Sequence, residues 1–262
     1  MITSNIIIGG IGYLVLSESY ERWQTGNRTT HMSLHTQMAL LVTAILILGG
    51  TILLYSFEVD NPKTLQPMGL STRVLAAYFQ AVTPRTAGFN TIDIGAMAEE
   101  AQLILIVLMF IGASPGGTGG GIKTTTFGVI VATLYAQIKG KSEVVFCRRR
   151  LSLETITKAF NVTICAFLLV ISVSLFLVYL EHEPLLRVVF ETTSAFGTVG
   201  LSMSKPGMVT SISGLFSRVG KFLIILTMFA GRVGPITVGA ALVAVGASEP
   251  NYRYPEEKVL IG

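Results

Sequence analysis

Two short runs in this chain carry what a dehydrated cation needs. Thr86-Ala87-Gly88-Phe89-Asn90 and Thr198-Val199-Gly200-Leu201-Ser202 share a threonine with a glycine two residues on, at an offset of 112. A cation stripped of water inside a membrane must be given oxygen ligands, and backbone carbonyls supply them without adding charge. A loop that offers its carbonyls is extended and irregular, which is tolerated at membrane depth only where it lines a cavity. It also needs glycine, because the backbone passes through conformations closed to other residues. One such run is a weak signal, since a Thr/Gly helix cap has the same composition. Two, each following a short apolar segment, point to ion conduction.

A third run, Gly112-Ala113-Ser114-Pro115-Gly116-Gly117-Thr118-Gly119-Gly120-Gly121-Ile122-Lys123-Thr124, interrupts the apolar stretch from Ala101 to Tyr135. Flexible backbone there reads as an obstruction below a filter, with close helix packing as the alternative. The hydroxyls of Ser114, Thr118 and Thr124 to Thr126 can satisfy freed backbone groups. A charge such as Lys123 is costly at this depth unless it faces water or a partner. The run resembles a P-loop, but Ile122 separates Gly121 from Lys123, so the G-x-x-x-x-G-K-[ST] spacing fails by one residue and nucleotide hydrolysis is not expected of this chain. Arg232, inside another apolar stretch, is a functional candidate by the same cost argument. It can pair with carbonyls of the glycine run or raise an electrostatic barrier below a filter; the alternative is snorkelling to the interface. Arg85 reads as a structural brace of the first loop. Cys147 and Cys165 read as unpaired thiols, and His31 and His35 lack a third metal ligand.

The elements that must hold these runs are membrane helices. Of the 262 residues 51% are hydrophobic and 13% charged, against about 25% charged in soluble domains. Met38 to Phe57 and Ala159 to Leu180 are long enough to span. Val74 to Val82 and Leu185 to Phe196 are about half that length, which predicts re-entrant pore segments. Ala101 to Tyr135 and Phe222 to Val245 are broken by glycine or proline. The order repeats, and so do three anchors. Ser33-Leu34-His35-Thr36 matches Ser152-Leu153-Glu154-Thr155, the two Thr/Gly loops match, and Met109-Phe110-Ile111-Gly112 matches Met228-Phe229-Ala230-Gly231. Each unit crosses twice and dips once, so the units are parallel. Ile8-Gly9-Gly10-Ile11-Gly12 resembles Ala230-Gly231-Arg232-Val233-Gly234, which makes residues 1–20 the end of a preceding unit's second helix. Five basic residues against one acid in 139–150 place that loop in the cytoplasm. The loops opened by Glu58 and Glu181 then lie outside, and the net charge of +4 signals topology rather than nucleic-acid binding.

The runs Thr83 to Asn90, Gly112 to Thr124 and Gly231 to Pro235 resemble the Trk/Ktr/HKT superfamily of potassium transporters, nearest its bacterial KtrB-type membrane subunits, over the whole chain. The fold this implies is all-α transmembrane, with tandem parallel helix–pore-helix–filter–helix repeats as in potassium channels. Units would run 33–140 and 151–248, followed by a tail at 249–262. The function implied is the C-terminal half of a non-enzymatic, multi-pass pore subunit for potassium uptake in the bacterial plasma membrane; the alternative is a non-conducting truncated subunit that only binds partners. The resemblance makes Thr86, Ala87, Gly88, Phe89, Thr198, Val199, Gly200 and Leu201 the filter. Gly112, Ser114, Gly116, Gly117, Thr118, Gly119, Gly120, Gly121, Lys123 and Arg232 form the gate. K+ is the implied cargo, since both loops keep glycine where some plant relatives that favour sodium carry serine; Na+ is possible. The implied partners are the bilayer, a second copy in a homodimer, and a cytoplasmic ring of nucleotide-binding regulatory subunits (KtrA/TrkA-like) that alone holds nucleotide. Candidate contact surfaces are the 139–150 loop and the tail.

Overall fold

Inside a bilayer an apolar run has no water for its backbone groups, so it satisfies them internally as helix. The computed structural model, which describes residues 1–25, 32–204, 211–235 and 237, shows this for both long runs. α3 (Leu34–Glu58) and α7 (Leu153–Glu181) are each long and apolar enough to cross a membrane. Both extend beyond their apolar runs because each starts on a serine cap. The hydroxyls of Ser33 and Ser152 accept the backbone N–H of Thr36 and Thr155. The first of the three repeated sequence anchors is therefore a pair of helix N-caps.

The half-length segments are also helical. α4 (Leu70–Val82) and α8 (Leu185–Gly197) have 13 residues each, a rise of about 20 Å against a hydrocarbon core of about 30 Å. After each comes irregular chain, a short 3-10 turn (Ile94–Ala96 or Ile212–Leu215) and a further helix, α5 (Glu99–Phe110) or α9 (Arg218–Val233). The glycine run separates α5 from α6 (Thr124–Ile138). At the N-terminus α1 (Ile2–Ile11) and α2 (Tyr13–Thr25) meet at a 99° bend. The bend falls at Gly12, with φ 92°, and α9 ends at Gly234, with φ 102°; only glycine takes such angles without strain. The likeness seen in sequence between these two segments is thus a likeness of backbone. α2 runs past residue 20.

Residues 139–150, expected as plain loop, contain a hairpin of β1 (Val145–Phe146) and β2 (Arg149–Arg150), turned through Cys147 and Arg148 at positive φ. Val144 and Phe146 pin it to the cluster around Met38 and Val42, which is why this short polar segment has fixed structure. The end of the second unit beyond 237 and the tail at 249–262 lie outside the described residues, as does His31.

The main core gathers where α3, α4 and α5 meet α8, through Leu54, Ala77, Leu105, Met109 and Phe190. The C-terminal half of α8, Phe190 to Gly197, is buried on every side. Two glutamates tie the C-terminal ends of α3 and α7 to the helices that follow. Glu58, the last residue of α3, is wholly buried and accepts the N–H of Ala98, the N-cap of α5, at 2.7 Å. Glu181, the last residue of α7, accepts the N–H of Ser217, the N-cap of α9, at 3.0 Å and its hydroxyl at 2.6 Å. A carboxylate at a helix N-terminus meets unpaired N–H groups and the positive end of the helix dipole. The sequence reading places both acids in outer loops, where they count only as charge; in the fold one carboxylate clamps α3 to α5 and the other α7 to α9.

Candidate functional site

The end of each half-length helix sets up the loop that follows it. α8 closes with Thr198 in the left-handed region, φ 51° and ψ 40°, its N–H bonded to the carbonyls of Ala195 and Ser194. Thr86 stands at φ 66° after α4. A left-handed residue is usually glycine, and for a β-branched side chain the conformation is a true outlier. Two residues on, Gly88 and Gly200 again take positive φ, 74° and 91°. Both loops therefore alternate the sign of φ, positive at threonine and glycine only. In the second, Val199, Leu201 and Met203 are buried in the main core while Gly200 and Ser202 are not, the period-two pattern of extended chain anchored on one side. The first loop is looser, with Phe89 60% exposed. The hydroxyl of Thr83 donates to the Phe89 carbonyl and holds its outer end.

The two loops are brought together. A Cβ on Gly88 would collide with the carbonyl oxygen of Val199, and one on Gly200 would lie 3.7 Å from the Gly88 Cα. The glycine run sits against both. A Cβ on Gly119 would stand 2.6 Å from the Thr86 methyl, and one on Gly120 would stand 2.9 Å from both the Thr198 hydroxyl and the Phe196 carbonyl. Gly120 donates its N–H to the Thr198 hydroxyl at 2.9 Å. That bond accounts for a threonine rather than a glycine at a left-handed position: the hydroxyl is used.

The glycine run itself is a closed loop. Gly112 N–H bonds to the Ile122 carbonyl and Ile122 N–H to that of Phe110, which forms the neck. Ser114 and Thr124 share a hydroxyl bond at 2.7 Å, and Lys123 Nζ donates to the Gly119 carbonyl at 2.6 Å. Its far side docks into the N-terminal bend, with Ser114 N–H on the Gly10 carbonyl and Tyr13 N–H on that of Gly116. Gly112, Gly119 and Gly120 are all glycines of close approach, so packing and obstruction are not exclusive roles here. Gly116 and Gly121 bend the run at positive φ, with Gly117 and Thr118 between them.

Arg85 is buried and donates to the Gly112 carbonyl at 3.1 Å, so the expected brace reaches from the first loop to the neck. Arg232 is exposed and makes no hydrogen bond among the described residues; its charge acts on Lys123. Among the described residues the charge that bonds a carbonyl of the glycine run is the half-buried Lys123. Gly231, one residue before Arg232, packs so tightly that a Cβ would meet the carbonyl of Phe196. Gly112, the residue matched to it in sequence, faces the carbonyl of Gly120 in the same way. Cys147 and Cys165 are free and exposed.

Comparisons with known proteins agree with one another. Over all of its residues the chain is 39% identical to the Ktr system potassium uptake protein B of Bacillus subtilis, covering 56% of that protein. It is 35% identical to the Ktr system potassium uptake protein B of Vibrio alginolyticus, with 98% of the chain and 54% of the relative aligned. It is also 35% identical to the potassium/sodium uptake protein NtpJ of Enterococcus hirae, over the whole chain and 56% of the relative. The chain thus spans about half the length of the curated relatives it matches. The crystal structure of the potassium transporter TrkH from Vibrio parahaemolyticus superposes with a TM-score of 0.72 at 15% identity, over 92% of this chain and 50% of that one, a likeness of fold. The family model TrkH, cation transport protein, matches residues 1–249. These helices and loops are those of a membrane protein, and the chain belongs to the TrkH cation transport family.

Proposed function

We propose that this chain is the C-terminal half of the pore subunit of a potassium-uptake transporter. Ions pass the carbonyls of Thr86–Phe89 and Thr198–Leu201, and the Gly112–Gly121 loop with Lys123 gates them. One observation carries the reading: two loops of the same alternating handedness meet at Gly88 and Val199, and both threonines rest on Gly119 and Gly120. An ordinary strand sends successive carbonyls to opposite sides. Alternating φ signs rotate every second peptide and turn neighbouring carbonyls toward one side, the arrangement an ion filter requires. Strain at a β-branched left-handed residue persists where the surroundings impose it, and it concentrates at functional sites.

On this reading residues 33–140 and 151–248 are parallel repeats, and residues 1–20 end a third. Potassium is the preferred cargo because both loops keep glycine; sodium is a second cargo, as the name of the Enterococcus hirae relative indicates for that protein. Regulation comes from a cytoplasmic nucleotide-binding ring, and the pore subunit pairs with a second copy. The tail supplies part of that contact through Val259, Leu260 and Ile261, aliphatic groups better buried than left in water. Removal of residues 253–262 is expected to weaken dimerisation, so that monomer grows in on dilution in mild detergent. A truncated protein as dimeric as the intact one would move the contact elsewhere, with the tail tyrosines anchoring at the membrane interface instead.

The other reading is a non-conducting membrane subunit that binds partners. Co-production with the N-terminal half of the Bacillus subtilis relative, in a bacterium lacking its own potassium uptake, separates the two. Conduction predicts growth at limiting potassium and rubidium uptake from the assembled protein. A stable, membrane-inserted assembly without uptake would leave the binding role.

A further inference from the structure

The two loops are not held in the same way, and the difference centres on Glu191. This residue lies in the buried half of α8 and is 6% exposed. Its Oε2 accepts the hydroxyl of Ser202 at 2.6 Å, and its Oε1 accepts the N–H of Ser213 at 3.3 Å. The Ser202 oxygen in turn accepts the N–H of Ile212 at 3.1 Å. One carboxylate therefore joins the pore helix, the residue just after the second filter loop, and the 3-10 turn that leads into α9. Against the loop lies a cavity of about 230 Å³ lined by Glu191, Ser194, Thr198 and Gly200 together with the apolar Ile224 and Met228. At the offset of 112, Glu191 corresponds to Phe79, and Thr83, whose hydroxyl holds the first loop by the Phe89 carbonyl, corresponds to Ala195. The second loop has lost that hydroxyl brace and has a carboxylate instead.

We infer that Glu191 is a specificity-determining positioning residue: through Ser202 it fixes the outer end of the second loop, and with it the spacing of the carbonyls that tell potassium from sodium. An ionised carboxylate only accepts, so it forces the Ser202 hydroxyl to donate inward and leaves the serine oxygen to receive Ile212. Hydrogen bonds to a charged group are about twice as strong as neutral ones, which suits a loop with a cavity against it. A neutral amide at 191 holds this arrangement less firmly, and the loop end relaxes toward the smaller ion's geometry.

The inference rests on the filter reading, so the test includes a control for it. In the assembled transporter, rubidium and sodium uptake are compared for Glu191→Gln, Ser202→Ala, Ser202→Thr, the Gln/Ala double variant and Gly200→Ser. Loss of one charge-assisted bond is expected to reduce potassium-over-sodium discrimination about tenfold in Glu191→Gln and in Ser202→Ala. The double variant should be no worse than either single one, because both break the same link, and Ser202→Thr, which keeps the hydroxyl, should retain discrimination. If Glu191→Gln fails to reach the membrane, Ser202→Ala alone decides. Unchanged discrimination in Ser202→Ala, or additive losses in the double variant, would overturn the role of Glu191 while Gly200→Ser still shows the loop to be the filter. Unchanged discrimination in Gly200→Ser as well would remove the filter reading and this inference together.

Discussion

Gly88→Ser is expected to lose most potassium-over-sodium discrimination, and to lose more of it than Gly200→Ser. Both glycines sit at positive φ, where a side chain costs about 1–2 kcal/mol, enough for a 5- to 30-fold change in relative ion binding if it is expressed there. The two sites differ in the space around them. A serine Cβ at 200 finds only the Gly88 Cα at 3.7 Å, an ordinary contact, so the strain is conformational alone. At 88 the Cβ drives into the Val199 carbonyl, which is backbone of the opposite loop and cannot step aside without moving an oxygen of the proposed filter. The first substitution thus disturbs two loops and the second disturbs one. Competitive rubidium and sodium uptake by the assembled transporter measures the ratio, with membrane abundance checked by immunoblot. Equal effects would mean that the loops do not touch in the conducting protein, and no effect at either position would take both loops out of the ion path.

That asymmetry was not legible in the sequence, and the reason is physical. The Thr/Gly spacing identifies both loops because a left-handed position needs glycine, and that need is local. Which loop presses on which is a property of packing between segments more than a hundred residues apart. The serine caps of α3 and α7 were legible as a repeated Ser-Leu-X-Thr run, although their function as caps was not stated by the pattern. The helix breaks at Gly12 and Gly234 were legible for the same reason as the loops. The acids were not. Glu58, Glu181 and Glu191 are single carboxylates beside or within apolar runs, and nothing at a fixed spacing marks the N–H groups they accept. Glu58 receives Ala98 from 40 residues away and Glu181 receives Ser217 from 36. A useful signal was still present: an acid at the end of a spanning helix, twice, in corresponding places. A buried charge is retained only where it is paired or hydrogen-bonded, so such an acid is better read as a clamp than as loop charge. Arg232 shows the converse. Its cost argument is sound, but among the described residues the charge that bonds a carbonyl of the glycine run is Lys123, four residues from Gly119 and already on the loop.

Shortening the glycine run gives the largest expected gain of function. The run touches the first loop through Gly119 against Thr86 and the second through Gly120 on Thr198, and Lys123 draws the Gly119 carbonyl back toward α6. Backbone therefore lies against Thr86 and Thr198 at the start of each loop, with an ammonium group bonded to that backbone. On the proposed reading an ion leaving the filter has to pass them, and a fixed positive charge at low dielectric opposes it. Deleting Gly117 to Gly119 removes the contact with Thr86 and the carbonyl that Lys123 holds, while the neck at Phe110, Gly112 and Ile122 is left in place. Rubidium flux through the assembled transporter is expected to rise, by about tenfold if roughly 1.4 kcal/mol of barrier is removed. Lys123→Ala should raise it less, since it lifts the charge and frees the loop without shortening it. The two changes act on one contact, so their combination should fall short of the sum of the separate effects. The competing role of the loop, close packing, makes the opposite forecast. The same residues dock into the N-terminal bend through Gly10 and Gly116, and if that docking is what the run is for, the deletion lowers both flux and the thermal midpoint in detergent. Flux is measured per inserted molecule, so that a fall with normal abundance and an unchanged midpoint would also count against a gate. A rise in flux for both the deletion and Lys123→Ala at an unchanged thermal midpoint is the outcome an obstruction predicts, because a leak opened by loosened packing would lower the midpoint.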